Sequence, residues 1–149
     1  MVSKSCVLFV ITSLVLAATF LGAEPPDQTL DEKKSIAVSQ HELLVLLIDQ
    51  GHYDKVPPEL QKILDLKFTG KHEKYVVDEI LILSELLSQK KQHKLALQLA
   101  DMGLSALREK ENQARLYKEK GFIYKQMGLP DKAMEMFEKG RALEVPGGK

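Results

Sequence analysis

The side chains of this chain best suited to metal binding or acid–base chemistry are its four histidines, His41, His52, His72 and His93. A glutamate follows both His41 and His72, as in the helical zinc-protease motif, which needs a second histidine one turn later to share the metal. Val45 and Val76 occupy those positions instead. The other two histidines have no paired ligand nearby. We therefore expect turn or surface roles for all of them, and no metal and no cofactor.

Other catalytic groups are equally sparse. The single cysteine, Cys6, lies in an apolar N-terminal segment, and the sequence contains no glycine-rich phosphate loop and no serine nucleophile elbow. Acidic pairs such as Glu135 and Glu138 lie among lysines on helical segments, where carboxylates make surface ion pairs. We therefore expect no catalytic residue, no enzymatic activity and no small-molecule substrate.

The charge balance narrows the range of partners. The chain has 21 basic and 21 acidic residues, which gives a formal net charge of zero at pH 7. The two signs alternate along the helical segments, as they do on solvated helix faces. Because domains that bind nucleic acid carry a basic excess, we expect a protein or peptide partner and no nucleic acid.

Residues 1–23 have the pattern of an export signal peptide. Lys4 supplies a weak positive start, residues 6–21 are apolar, and a small-residue cleavage site ends at Ala23. The alternative is an uncleaved anchor, because the apolar segment is long for a signal core but shorter than the roughly 20 residues of a spanning helix. We expect an exported protein, periplasmic in a bacterium or secreted, with membrane anchoring as the alternative. Cleavage would remove the only cysteine, so the exported chain could form no disulfide.

After this leader, one pattern of five positions occurs three times. Leu47, Gly51, Val56, Leu60 and Ile63 recur 40 residues later as Leu87, Lys91, Ala96, Ala100 and Gly103, and 37 residues after that as Tyr124, Gly128, Ala133, Phe137 and Gly140. A period of this length, with two helical stretches around a short turn, is typical of stacked helical repeats. Such arrays usually bind other proteins.

Hydrophobic spacing predicts six helices and no convincing strand, after a proline-containing linker over residues 24–34. The first helix has two candidate capping boxes, Thr29 with Glu32 and Ser39 with Glu42, and ends near residue 50. The other predicted helices cover residues 57–66, 73–89, 93–108, 114–127 and 130–143, with junctions at 69–72 and 109–112. A strand over residues 75–83 is the weaker alternative, because that apolar run continues at helical spacing through Leu87.

The third occurrence of the pattern resembles a tetratricopeptide repeat (TPR), a module of two antiparallel helices. The matching positions hold an aromatic, a small residue, an aromatic, a turn glycine, an alanine, an aromatic and, about one residue late, a closing proline: Tyr117, Gly121, Tyr124, Gly128, Ala133, Phe137 and Pro146. The first occurrence keeps the turn residues Gly51, Tyr53 and Asp54. The middle one is more degenerate, with Lys91 at the turn and Ser84 at the close-packing site.

This resemblance implies an all-α fold, an α-solenoid of three antiparallel helix pairs in a TPR-like right-handed superhelix over residues 35–147. The units would cover about 37–70, 77–110 and 114–147. In TPR arrays the first helix of each pair lines the concave, partner-binding side. The positions implied here are Val38, His41, Val45, Ile48, Asp78, Leu81, Glu85, Ser88, Arg115, Lys118, Phe122 and Lys125.

That surface would be apolar at one end and cationic at the other. Arg115, Lys118 and Lys125 recur at helical spacing and could receive an acidic segment, with Phe122 supplying apolar contact. The alternative is a solvated, lysine-rich face with Phe122 packed internally.

These patterns together predict an exported, non-catalytic adaptor or scaffold that binds a protein or peptide through the concave face of TPR-like repeats. The main alternative is a structural, self-associating subunit of an envelope complex, with its apolar first helix buried against another copy. Membrane contact is expected only if the leader stays uncleaved.

Overall fold

The computed structural model describes residues 28–144, and this part of the chain is all-helical, with six α-helices and no β-strand. The helices are α1 (Leu30–Asp49), α2 (Val56–Leu64), α3 (Lys74–Gln89), α4 (His93–Ala106), α5 (Lys110–Gln126) and α6 (Pro130–Glu144). Short 3-10 helices, Tyr53–Lys55 and Gly70–His72, precede α2 and α3. The all-α class and the number of helices are confirmed, and the alternative strand over residues 75–83 is wrong. The predicted signal peptide and Pro146 lie outside the described residues.

The first helix starts at the earlier of its two capping boxes. The Thr29 backbone N–H donates to Glu32 Oε2 at 2.8 Å, and the Glu32 N–H donates to Thr29 Oγ1 at 3.3 Å. These bonds satisfy backbone donors that a helix start otherwise leaves unpaired. Residues 30–34, which the sequence pattern assigned to the linker, are therefore part of α1. Ser39 lies inside the helix, where its hydroxyl donates to the Ser35 carbonyl.

The junction between α4 and α5 also lies earlier than expected. We placed it at residues 109–112, but the non-helical residues are 107–109. The cause is the buried carboxylate of Glu73, which accepts the backbone N–H of Arg108 at 3.0 Å and that of Glu109 at 2.9 Å. A side chain 35 residues away in sequence thus fixes where α5 begins.

Three turns between paired helices share one backbone geometry. Gly51, Lys91 and Gly128 have positive φ angles of 75°, 63° and 73°. In each turn the N–H of the next residue donates to a carbonyl in the last turn of the helix: His52 to Leu47 at 2.8 Å, Gln92 to Leu87 at 2.8 Å, and Leu129 to Tyr124 at 3.0 Å. This is the Schellman arrangement, which satisfies carbonyls at a helix end. The offsets found in the sequence therefore align equivalent turns.

The helices pack around one shared core. Helix α1 packs on α2, α3 on α4 and α5 on α6, and the odd-numbered helices also contact one another, α1 with α3 and α3 with α5. The largest buried aliphatic side chains include Leu44, Ile48, Leu60, Ile63, Ile80, Leu83, Leu87, Leu99, Leu116 and Ile123. Fully burying a side chain of this kind stabilises by about 1.5–3 kcal/mol. The described residues contain no cysteine, so their stability depends on this packing.

Glycines allow the closest helix contacts. A Cβ added at Gly121 of α5 would lie 2.6 Å from Cε1 of Phe137, and one added at Gly103 of α4 would lie 2.5 Å from Cδ1 of Ile80. Both distances are too short for a real side chain. The close-packing role expected for Gly121 is confirmed.

Candidate protein-binding surface

His41 and Glu73, from the two histidine–glutamate sequence pairs, make contacts between segments distant in sequence. His41 Nδ1 lies 2.8 Å from Glu79 Oε2, which links α1 to α3. The ring of His72 stacks on Tyr75 with 6.1 Å between centroids, while both carboxylate oxygens of Glu73 accept backbone N–H groups. Within residues 28–144, no group of three or more His, Cys, Asp or Glu side chains is arranged to hold a metal ion.

An apolar groove of about 370 Å³ lies between α1 and α3. Its walls are Val38 of α1, which is 64% exposed, and the exposed Tyr75 and Ile82 of α3. The buried side chains of Ile63 and Phe68 form its base. Because exposed apolar side chains gathered in a concave site mark binding surfaces, this α1–α3 groove is the candidate site.

Two kinds of polar group border the groove. Lys34 Nζ and Lys74 Nζ lie 5.4 and 5.6 Å from the centroid of the Tyr75 ring, within cation–π range. The carboxylate of Glu79 is nearly buried, and this burial raises its pKa above the ordinary value, while His41 opposes the shift.

One oxygen of this carboxylate is buried without a hydrogen-bond partner. Glu79 Oε2 faces His41, whereas Oε1 is buried and has no hydrogen-bond partner in the described part of the chain. A buried acceptor left without a partner costs about 1–3 kcal/mol. A ligand N–H would recover part of that cost only if a neighbouring side chain moved aside, because this oxygen is closed to solvent.

The partner-binding positions that the sequence placed on α1 divide between groove and core. Val38 and His41 line the groove, and Val45 is half-buried. Ile48 is fully buried, because it lies one turn beyond the core residue Leu44 on a helix that packs on both α2 and α3. Ile48 is therefore a core residue, and its placement on a binding surface is corrected.

The positions on α3 form a mixed surface. Arg115 Nη2 of α5 donates to Asp78 Oδ1 at 2.6 Å, so this pair joins the two helices. Leu81 is half-buried and Glu85 is exposed, while Ser88 is buried. In the middle of the predicted concave face, Glu85 is thus an exposed acid, whereas Ser88 is buried and not accessible to a partner.

The positions on α5 lie close to α6. Lys118 Nζ lies 2.5 Å from Glu144 Oε1, and the ring of Phe122 packs edge-on against Phe137 with 5.1 Å between centroids. Phe122 is nevertheless exposed, so it is not packed internally. Lys125 is exposed and has no ion-pair partner among residues 28–144. Arg115, Lys118 and Lys125 were expected to receive an acidic segment, and within residues 28–144 only Lys125 lacks an ion-pair partner.

Sequence reasoning missed Tyr75, Glu79 and Ile82. They recur at helical spacing, but α3 is apolar around much of its circumference, so periodicity did not separate them from core residues such as Ile80. What distinguishes them is their position beside α1, which only the packing of the helices decides.

A larger depression of about 730 Å³ lies between α2 and α4. It is shallow, and polar side chains such as Gln61, Lys94, Gln98 and Asp101 line it. In the described part of the chain, no residue that lines this depression has a buried polar atom without a hydrogen-bond partner. The α1–α3 groove therefore offers the more specific chemistry.

Comparison of the chain with protein-family models, with curated proteins and with solved structures finds no significant match. The functional argument therefore rests on the geometry of this chain. Among residues 28–144, no helix has both the length and the apolar character needed to cross a bilayer.

Proposed function

We propose that this chain is an exported, non-catalytic adaptor built from three TPR-like helix pairs, and that it binds a peptide segment of a partner protein in the α1–α3 groove. The observation that carries the proposal is the groove itself, in which exposed Val38, Tyr75 and Ile82 surround the nearly buried carboxylate of Glu79. The export element of the proposal rests on the leader over residues 1–23, and membrane anchoring is its alternative.

Two features support a TPR-like solenoid. The turns at Gly51, Lys91 and Gly128 have equivalent backbone geometry, as successive repeats require. The first helix of each pair also contacts the first helix of the next, α1 with α3 and α3 with α5, which is the stacking that buries a continuous core. We propose a right-handed superhelix in keeping with the TPR resemblance.

The groove selects the chemistry of its ligand. Its walls favour an apolar side chain, because contact with Val38 and Ile82 removes apolar surface from water. The buried Oε1 of Glu79 has no partner, so a ligand N–H that reached it by displacing a groove side chain would gain a hydrogen bond beside that apolar residue. We therefore propose a ligand segment that places an apolar residue next to a hydrogen-bond donor.

A peptide library displayed on phage would test the proposal. Peptides selected on the wild-type protein would be synthesised, and their affinities measured for Val38→Glu and Ile82→Glu. We expect each substitution to weaken binding about tenfold or more, equivalent to about 1.4 kcal/mol, because a carboxylate in the apolar wall must lose its hydration.

The matched control is Met134→Glu, since Met134 is 59% exposed, close to the 64% of Val38, but lies on α6. It should bind the selected peptides like the wild type. If peptides bind Val38→Glu and Ile82→Glu as tightly as the wild type, the groove is not the binding site.

One observation favours the alternative function, a structural subunit that self-associates. Helix α1 exposes Ile36, Leu43 and Leu46 away from the groove. These side chains could pack against another protein surface without occupying the proposed peptide site.

A further inference from the structure

The outward surface of α1 is apolar and acidic. Ile36, Leu43 and Leu46 are exposed, Leu46 by 55%, on the side of the helix away from His41 and Lys34, which face α3. We call these three residues the α1 end face. The exposed charged residues of α1 are acidic, namely Asp31, Glu32, Glu42 and Asp49, of which Asp31 pairs with Lys34 and Asp49 with Lys90.

The opposite end of the described helices is apolar and carries charges of both signs, with Lys125 and Arg141 beside Glu138. Phe122 of α5 is 52% exposed and Met134 of α6 is 59% exposed, and Phe137 packs beside Phe122. Met134, Phe137 and Arg141 border a depression of about 210 Å³. Within residues 28–144, neither Lys125 nor Arg141 has an ion-pair partner. The α6 end face is Phe122, Lys125, Met134, Phe137 and Arg141.

The packing inside the molecule indicates what could cover the α6 end face. Helix α5 packs on α3, and the exposed Glu85 of α3 lies near enough to this contact to raise the pKa of Glu119 of α5. The equivalent position on α5, 37 residues later, is Phe122, and no odd-numbered helix follows among the described residues. An added helix here would repeat the packing of α5 on α3.

A second copy of the chain offers such a helix. Its α1 is odd-numbered, and its end face presents the apolar residues Ile36, Leu43 and Leu46 for contact with Phe122 and Met134. Apolar side chains would therefore meet apolar side chains at the centre of the contact, with charged groups around them.

Charge favours contact between unlike ends. Two α1 end faces would bring the acidic residues of both copies together. Two α6 end faces would bring Lys125 and Arg141 of both copies together, with Glu138 as the acidic residue at the depression. Contact between an α1 end face and an α6 end face instead sets acids such as Glu42 near these cations.

We infer that copies of this chain associate head to tail, with the α1 end face of one copy packed on the α6 end face of the next. Such a contact is heterologous, so it produces either a series of copies that grows with concentration or a closed ring. It does not depend on the proposed peptide binding, because neither end face includes residues that line the α1–α3 groove.

Sedimentation velocity of the full-length protein, expressed with its leader so that any processing occurs in the host, tests this arrangement. We expect the wild type to form species larger than a dimer. Leu46→Glu and Met134→Glu should each raise the dissociation constant about tenfold or more, because each puts a carboxylate into an apolar contact. An equimolar mixture of the two variants should form a heterodimer and nothing larger, since each retains one intact end face.

Val38→Glu is the matched control on α1, and it should associate like the wild type. Circular dichroism would verify the helix content of every variant, and Leu43→Glu or Phe122→Glu would replace a variant that fails to fold. A wild type that remains monomeric at every concentration overturns the inference. So does either single variant that dimerises alone as tightly as the wild type, which would indicate a two-fold contact, and so does a mixture that forms no heterodimer.

Discussion

Substitution of Glu73 should destabilise the fold more than any surface carboxylate would. Its buried carboxylate accepts the backbone N–H groups of Arg108 and Glu109, at 3.0 and 2.9 Å, in the non-helical segment between α4 and α5. A hydrogen bond to a charged group contributes about 1.5–3 kcal/mol. Loss of both in Glu73→Ala should therefore lower the free energy of unfolding by about 3–6 kcal/mol.

The alternative explanation for this carboxylate is its place at the N-terminus of α3, where the helix dipole favours negative charge. That interaction contributes about 0.3–1 kcal/mol at an exposed helix end and up to about 2 kcal/mol where the group is partly buried, which is still below the loss expected for two hydrogen bonds, so the size of the loss distinguishes the two explanations. Glu73→Gln keeps the shape and one acceptor oxygen but not the charge. It should lose about half as much as Glu73→Ala, because charge-assisted hydrogen bonds are roughly twice as strong as neutral ones.

Thermal melting followed by circular dichroism measures the effect. In a domain of this size, 1 kcal/mol corresponds to about 4 °C, so Glu73→Ala should melt about 12–24 °C below the wild type. Hydrogen exchange should also quicken at the start of α5, near Lys110. The control is Glu135→Ala, which removes an exposed carboxylate paired with Lys139 on the same helix and should leave the midpoint unchanged. A loss of only about 2 °C in Glu73→Ala, with unchanged exchange, would refute the capping role.

Three further substitutions follow from the same packing. Lys91→Gly should stabilise by about 1 kcal/mol, because a side chain at φ 63° is strained and glycine is not, and a lowered melting midpoint would contradict this. Gly103→Ala should destabilise by about 1 kcal/mol in urea unfolding, since its Cβ would lie 2.5 Å from Cδ1 of Ile80 in the core and this contact outweighs the helix propensity that alanine adds, and an unchanged midpoint would argue against this tight contact. Burial and the nearby Glu85 raise the pKa of Glu119 above 4.5, so the folded state holds this proton more tightly and loses stability as pH rises from 4.5 through the raised pKa. As pH rises through that interval, the melting midpoint of Glu119→Gln should therefore increase relative to that of the wild type. A difference between the two midpoints that does not change with pH would contradict the raised pKa of Glu119.

The turns show how far the sequence pattern reaches. Gly51 and Gly128 are recognisable as turn residues because glycine tolerates positive φ. Since a single offset relates all five positions of one occurrence to those of the next, the same expectation extends to Lys91. The structure gives Lys91 the same conformation and the same hydrogen bond from the next residue. The repeat was therefore predictable even where its preferred residue is absent.

The start of α1 shows where local patterns become ambiguous. The boxes at Thr29 and Ser39 are equally good locally, and the structure uses the first. The added turns place Lys34 over the ring of Tyr75 in α3. This contact and the walls of the groove depend on how α1 lies beside α3, which no local pattern specifies.

The sequence alone determined the helices and the turns that join each pair, because these depend on residues within about one or two helical turns of one another. Tertiary structure decided which side chains from different helices meet. Glu73 reaches the start of α5 across 35 residues, and His41 meets Glu79 across 38. Such contacts depend on the relative positions of packed helices, so the groove, the α4–α5 junction and the burial of Ile48 became evident only in three dimensions.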